Sequence, residues 1–146
     1  MKAPPRLTVL VVDDEPRSLE TLRRTLDDAF DVVTAENAEA AIERMETDAV
    51  QLVLSDQRMP GTSGVALLAQ IRQRWPDTVR MILSGHTDAQ DIIAGVNEAG
   101  IWQYLLKPWH PDQLLLTLQS AAQLWRLQQD NQRLTLELRP STEQLA

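Results

Sequence analysis

Three aspartates and one lysine, Asp13, Asp14, Asp56 and Lys107, each directly follow a short apolar run that reads as a buried strand. Doubly wound parallel sheets bind ligands beyond the carboxyl ends of their strands, where the strand order reverses, so these four residues are expected to share one crevice. Two unit charges about 4 Å apart repel by roughly 4 kcal/mol at an effective dielectric near 20. Three uncompensated carboxylates would therefore cost on the order of 10 kcal/mol. A divalent cation together with Lys107 is the natural compensation. With Mg2+ the formal charges cancel, leaving a site able to accept an anionic phosphoryl group.

The elements that must position these residues alternate along the chain. Strand-length apolar runs at Leu7–Val12, Asp31–Ala35, Val50–Ser55, Val79–Ser84 and Ile101–Leu106 are separated by segments of helical period. Their β-branched and leucine content suits burial on both faces of a sheet. The first helix is expected from about Pro16 to Ala29, with Pro16 near its start and Leu19, Leu22 and Leu26 on one stripe. Asn37 can cap a second helix over about Ala38–Glu46, and Ser63 precedes a third that runs toward Pro76. Thr87 and Gln90 form a capping box for the fourth, which Gly100 can end.

The last helix starts near Pro111 and meets no breaker before Pro140, longer than a five-stranded sheet requires. Leu124, Leu127, Asn131, Leu134 and Leu138 alternate spacings of three and four, with asparagine at one a position. That pattern predicts a short coiled coil holding a homodimer; the alternative is an amphipathic helix folded back on its own domain. The expected division is a domain over residues 1–122 and a helical linker over 123–146.

Composition limits the function. With 14 Lys+Arg against 21 Asp+Glu the net charge is −7, which argues against direct nucleic-acid binding by this part of the protein. The early apolar run is too short for a membrane span and does not resemble a signal peptide, so a cytoplasmic location is expected. Absence of cysteine removes disulfides, thiolate catalysis and thiolate metal sites. The two histidines, His86 and His110, lack the partner spacing of a metal pair and read as solvent-facing or capping residues. Trp102, Trp109 and Trp125 read as packing residues.

Taken in order, Val11-Val12-Asp13-Asp14-Glu15, Ser55-Asp56-Gln57-Arg58-Met59-Pro60-Gly61, Ser84-Gly85 and Lys107-Pro108 resemble the motifs of response-regulator receiver domains. No single piece is specific; their joint order at strand ends is. The resemblance covers roughly residues 7 to 120. It implies a flavodoxin-like α/β fold with a five-stranded parallel sheet of order 2-1-3-4-5. It also implies that Asp56 accepts a phosphoryl group from a sensor histidine kinase, with Asp13, Asp14, Asp56 and the Arg58 carbonyl around Mg2+ and Lys107 on a phosphoryl oxygen. Ser84 and Tyr104 match the family's coupled switch pair. Arg58 and His86 match positions that flank the phosphoryl group and tune its hydrolysis. Pro108 matches a cis peptide in the family, although prolyl bonds are usually trans.

The stretches Asp-Gln-Arg-Met-Pro-Gly and Leu-Leu-Lys-Pro-Trp-His-Pro-Asp-Gln-Leu resemble receivers of NtrC-type hydrogenase transcription regulators. Such receivers are followed by ATPase and DNA-binding output domains, so a receiver with linker from a longer regulator is expected, a single-domain relay being the alternative. On this reading the chain is a regulator that catalyses its own phosphorylation and dephosphorylation rather than a metabolic enzyme. Two other classes share the aspartates: a Mg2+-dependent phosphohydrolase, which would need the Asp-x-Asp pair absent here, and a structural module that never takes phosphate.

Overall fold

The computed structural model describes residues 6–85 and 89–145, without the side chains at 89, 91, 94 and 135–145. His86 and Thr87, and the side chain of Leu138, therefore lie outside the described residues. Five strands and five helices alternate: β1 Thr8–Val12, α1 Pro16–Leu26, β2 Asp31–Ala35, α2 Ala38–Thr47, β3 Leu52–Asp56, α3 Gly64–Arg74, β4 Val79–Ser84, α4 Ala89–Ala99, β5 Ile101–Leu106 and α5 Pro111–Leu145. All strands are parallel, in the order β2-β1-β3-β4-β5. This is the expected flavodoxin-like arrangement.

Strand alternation divides the core in two. Val9, Val11, Leu52, Leu54, Met81 and Leu83 point to the face covered by α1 and α5, where Leu19, Leu22, Leu26, Leu114 and Leu118 meet them. Leu10, Val12, Val53 and Ile82 point the other way, against residues of α2, α3 and α4. Because both faces are covered, the central strands are predominantly apolar rather than alternating.

Local signals set the helix ends. Pro16 opens α1, and the Asn37 and Ser63 side chains accept from Ala40 N (2.8 Å) and Ala66 N (3.2 Å) at the starts of α2 and α3. Helix α1 stops at Leu26, earlier than the expected Ala29, because the chain turns there and Ala29 N and Phe30 N both return to the Leu26 carbonyl. Gly100, at φ +60°, ends α4. Two cations hold that end: Arg80 Nε donates to Ala99 O (2.8 Å), and Arg72 donates to the Asn97 and Glu98 carbonyls. Burial first, and then Arg72, pull the Arg80 guanidinium below its ordinary pKa. At mid-helix Gly95 lies directly on Val65 of α3; a Cβ there would sit 2.0 Å from Val65 Cγ1.

Two expectations need correction. Strand β5 is not buried on both faces, since it is an edge strand: Trp102, Tyr104 and Leu106 are exposed, and only Leu105 is buried. Trp102 is thus not a core packing residue, whereas Trp109 and Trp125 do pack against the core. Nor does Pro140 end the last helix. α5 runs through Pro140 to Leu145.

Helix α5 has two dissimilar sides. Leu114, Leu118, Ala121 and Ala122 are buried, and farther along Trp125 and Gln129 border a cleft with Trp75, Pro76 and Asp77. Gln132 Nε2 donates to Asp77 Oδ1 at 3.2 Å. On the opposite stripe Leu127 and Leu134 are 61% and 51% exposed. No helix among the described residues is long and apolar enough to cross a membrane.

Candidate functional site

The register of the sheet brings the ends of β1, β3, β4 and β5 to one rim. Val12 pairs with Ser55, so Asp13 and Asp14 emerge beside Asp56, the last residue of β3. Carboxylate oxygens of Asp13, Asp14 and Asp56 all lie within 4.8 Å of one another. From the end of β5 on the same rim, Lys107 Nζ donates to Asp56 Oδ1 at 2.8 Å. The cluster expected from the sequence is therefore assembled from three separate segments.

The acids differ in environment. Asp56 is 6% exposed and Asp13 only 2%, while Asp14 faces solvent. Desolvation raises the Asp13 carboxyl to about 6 despite a hydrogen bond that its Oδ1 accepts from Glu15 N (3.0 Å); the adjacent Asp56 charge adds to the rise. A buried carboxylate that is difficult to ionise, beside two others, is a group that a cation would relieve. The donors are all hard oxygens and one is solvent-accessible, which fits a small divalent ion that keeps part of its water shell. Beside Asp14 an open cleft of about 500 Å³, lined by Glu36, Asn37, Pro60, Gly61 and Thr62, gives lateral access.

The remaining candidates occupy different places. Ser84, at the end of β4, is buried, and its hydroxyl has no hydrogen-bond partner among the described residues. An unpaired buried hydroxyl is costly, so this one is available to a group that arrives in the crevice. Its carbonyl accepts from Lys107 N (2.8 Å), linking the ends of β4 and β5. Tyr104 is exposed on β5, where it lines a groove of about 510 Å³ with Pro108, Trp109 and Gln113. Ser84 pairs with Leu106 and Ile82 with Tyr104, so Ser84 and Tyr104 stand on the same sheet face two residues apart. Arg58 lies just beyond β3 and is exposed; the Lys107–Pro108 bond, which the sequence leaves open, is cis.

Sequence reasoning passed over Gln57 and Gly64. Gln57 is buried, and Gly64 abuts Asp56 so closely that a Cβ would meet the Asp56 carbonyl oxygen at 2.3 Å. The Ser63-Gly64 pair was a visible cap signal, but a glutamine in a loop carries none.

Comparison with known proteins agrees with this geometry. Residues 9–119 match the response regulator receiver domain family. The hydrogenase transcriptional regulatory protein HoxA of Cupriavidus necator is 56% identical over 135 residues, covering 92% of this chain and 28% of that protein. The DNA-binding transcriptional regulator NtrC of Escherichia coli is 34% identical over 122 residues, covering 83% of this chain and 26% of the relative. The chain thus spans about a quarter of the length of these relatives. Among solved structures, a response regulator receiver domain protein from Clostridium thermocellum superimposes with a TM-score of 0.77 at 29% identity, covering 83% of this chain and 98% of that one. With three strand ends delivering three carboxylates and a lysine to one rim, and with the match running through nearly the whole sheet, this chain belongs to the response regulator receiver domain family.

Proposed function

We propose that this chain is the phosphoacceptor receiver of a two-component response regulator of NtrC type, in which Asp56 takes a phosphoryl group from a sensor histidine kinase. The observation that carries the reading is the Asp56 carboxylate, 6% exposed, flanked by two acids and held by Lys107 at 2.8 Å. An Asp56 oxygen attacks the phosphorus of the phosphohistidine, the P–N bond breaks, and the imidazole leaves carrying a proton. Asp13, Asp14, Asp56 and the Arg58 carbonyl would hold Mg2+, which when bound would neutralise charge on the transferring group. Lys107 swings its ammonium onto a second phosphoryl oxygen, and the unpaired Ser84 hydroxyl donates to a third. Little covalent work is required of the protein, because transfer is accelerated mainly by positioning and fixed positive charge.

The readout is a population shift. Ser84 gains a partner only in the loaded state, which is the differential interaction a two-state switch needs. Tyr104, exposed in its groove, is the second member of that switch. By the family resemblance, Arg58 and His86 set the lifetime of the loaded group. Residues 123–146 form the helical linker, and Leu124, Leu127, Asn131, Leu134 and Leu138 its homodimer seam; the exposure of Leu127 and Leu134 on the side away from the domain supports this. HoxA and NtrC are named as transcriptional regulators, which supports loading that switches dimerisation or output of a cytoplasmic transcription regulator. ATPase and DNA-binding output domains in a longer parent chain complete the proposal.

Incubation with Mg2+ and acetyl phosphate followed by intact mass is the test. One phosphoryl adduct that disappears in Asp56→Asn is expected; no adduct, or one that persists in the variant, refutes the reading.

A further inference from the structure

We infer that Gln57 is a positioning residue for phosphoryl transfer, fixing the loop whose Arg58 carbonyl serves the metal, an inference that rests on the function proposed above. Three bonds converge on this one buried residue, 6% exposed. Its backbone N–H donates to Leu83 O of β4 (3.1 Å), its carbonyl accepts from Gly64 N (3.0 Å), and its side-chain Oε1 accepts from Val65 N (2.9 Å). Residues 58–63 are thereby closed into a loop whose two ends are tied to the same amino acid.

The accounting at the start of α3 shows how much depends on it. The first N–H groups of a helix have no partner within it. Here Gly64 and Val65 are both satisfied by Gln57, and Ala66 by the Ser63 hydroxyl, after which Leu67 N bonds Ser63 O in the helix itself. Gly64 rests on the Asp56 carbonyl with no room for a side chain. Helix α3 is therefore registered directly against the acceptor, and Gln57 supplies two of the three bonds that hold it there. Removing Oε1 leaves a half-buried N–H unpaired and frees that end of the loop, so Arg58 loses its fixed place although no ligand has been deleted. Partners that orient metal ligands typically change affinity about 10- to 100-fold when removed.

Calorimetric titration of the full chain with Mg2+ tests this with Gln57→Met, which keeps length but has no acceptor, and Gln57→Glu, which keeps it. We expect Mg2+ affinity to fall about 10-fold in Q57M and to be held or raised in Q57E. Affinity unchanged in Q57M, or lowered equally in both, overturns the inference. Amide hydrogen exchange in the wild type gives an answer that needs no variant to fold: Mg2+ should slow exchange at Val65, and a rate indifferent to Mg2+ also overturns it. If the wild type itself binds no Mg2+, the proposed function fails rather than the role of Gln57.

Discussion

Replacing Asp13 by asparagine isolates the cost of burying a charge in the crevice. The Asn Oδ1 can still accept from Glu15 N, so the local turn survives while the charge is lost. The folded-state pKa of about 6 lies above the ordinary 3.8, so the native protein binds this proton more tightly than the unfolded chain. Stability from this group is greatest at low pH and declines as pH rises through the window from 3.8 to about 6. At pH 8 the difference corresponds to about 3 kcal/mol against folding, and at pH 5 to about half of that. Urea denaturation without Mg2+ should therefore find Asp13→Asn more stable than wild type at pH 8, with the gap narrowing by about half at pH 5. Saturating Mg2+ should reverse the order, since the ion stabilises the form that binds it in proportion to RT ln(1 + [Mg2+]/Kd). A variant less stable than wild type at pH 8 without metal, or a gap that ignores pH, would refute the claim that desolvation dominates this carboxylate.

Ser84→Ala removes a buried hydroxyl that has no partner among the described residues, so thermal melting of the unloaded protein should show unchanged stability or a gain of up to about 1 kcal/mol. The same variant should lose the loading-dependent change in amide exchange along α4, and destabilisation without loading would contradict the assignment. Gly95→Ala should cost about 1 to 3 kcal/mol in urea, because its Cβ would collide with Val65. Adding Val65→Ala should recover most of that loss, and independent, additive effects would show that the contact is unimportant. Leu127→Asn with Leu134→Asn should convert a dimer to a monomer in light scattering while leaving the circular dichroism of the domain intact; an unaltered mass removes the coiled-coil proposal.

The sheet was legible because both-face burial writes continuous apolar runs, and Asp13, Asp56 and Lys107 were legible because topology places strand ends together. Asn37, Ser63 and Gly100 announced helix ends through side-chain and backbone chemistry that is local in sequence. What escaped notice depends on the third dimension. Trp102, Tyr104 and Leu106 are as apolar as a core strand, and only the position of β5 at the edge leaves them uncovered. Gln57 reads as an ordinary loop residue until Leu83 and Val65 are brought around it. The two sides of α5 were both present in the leucine pattern, yet a single helical period could not say that one side grips the domain and the other remains outside.

That division of α5 has a mechanical consequence. Between Ala122 and Leu134 the helix extends about 18 Å, at about 1.5 Å per residue, as a stiff rod without a joint. A tilt of about 10° at its seat would swing Leu134 by about 3 Å, enough to carry a leucine out of register with a facing one. An adjustment of about 1 Å across Leu114 and Leu118 would be magnified along such a shaft, and the Gln132–Asp77 bond would restrain its travel.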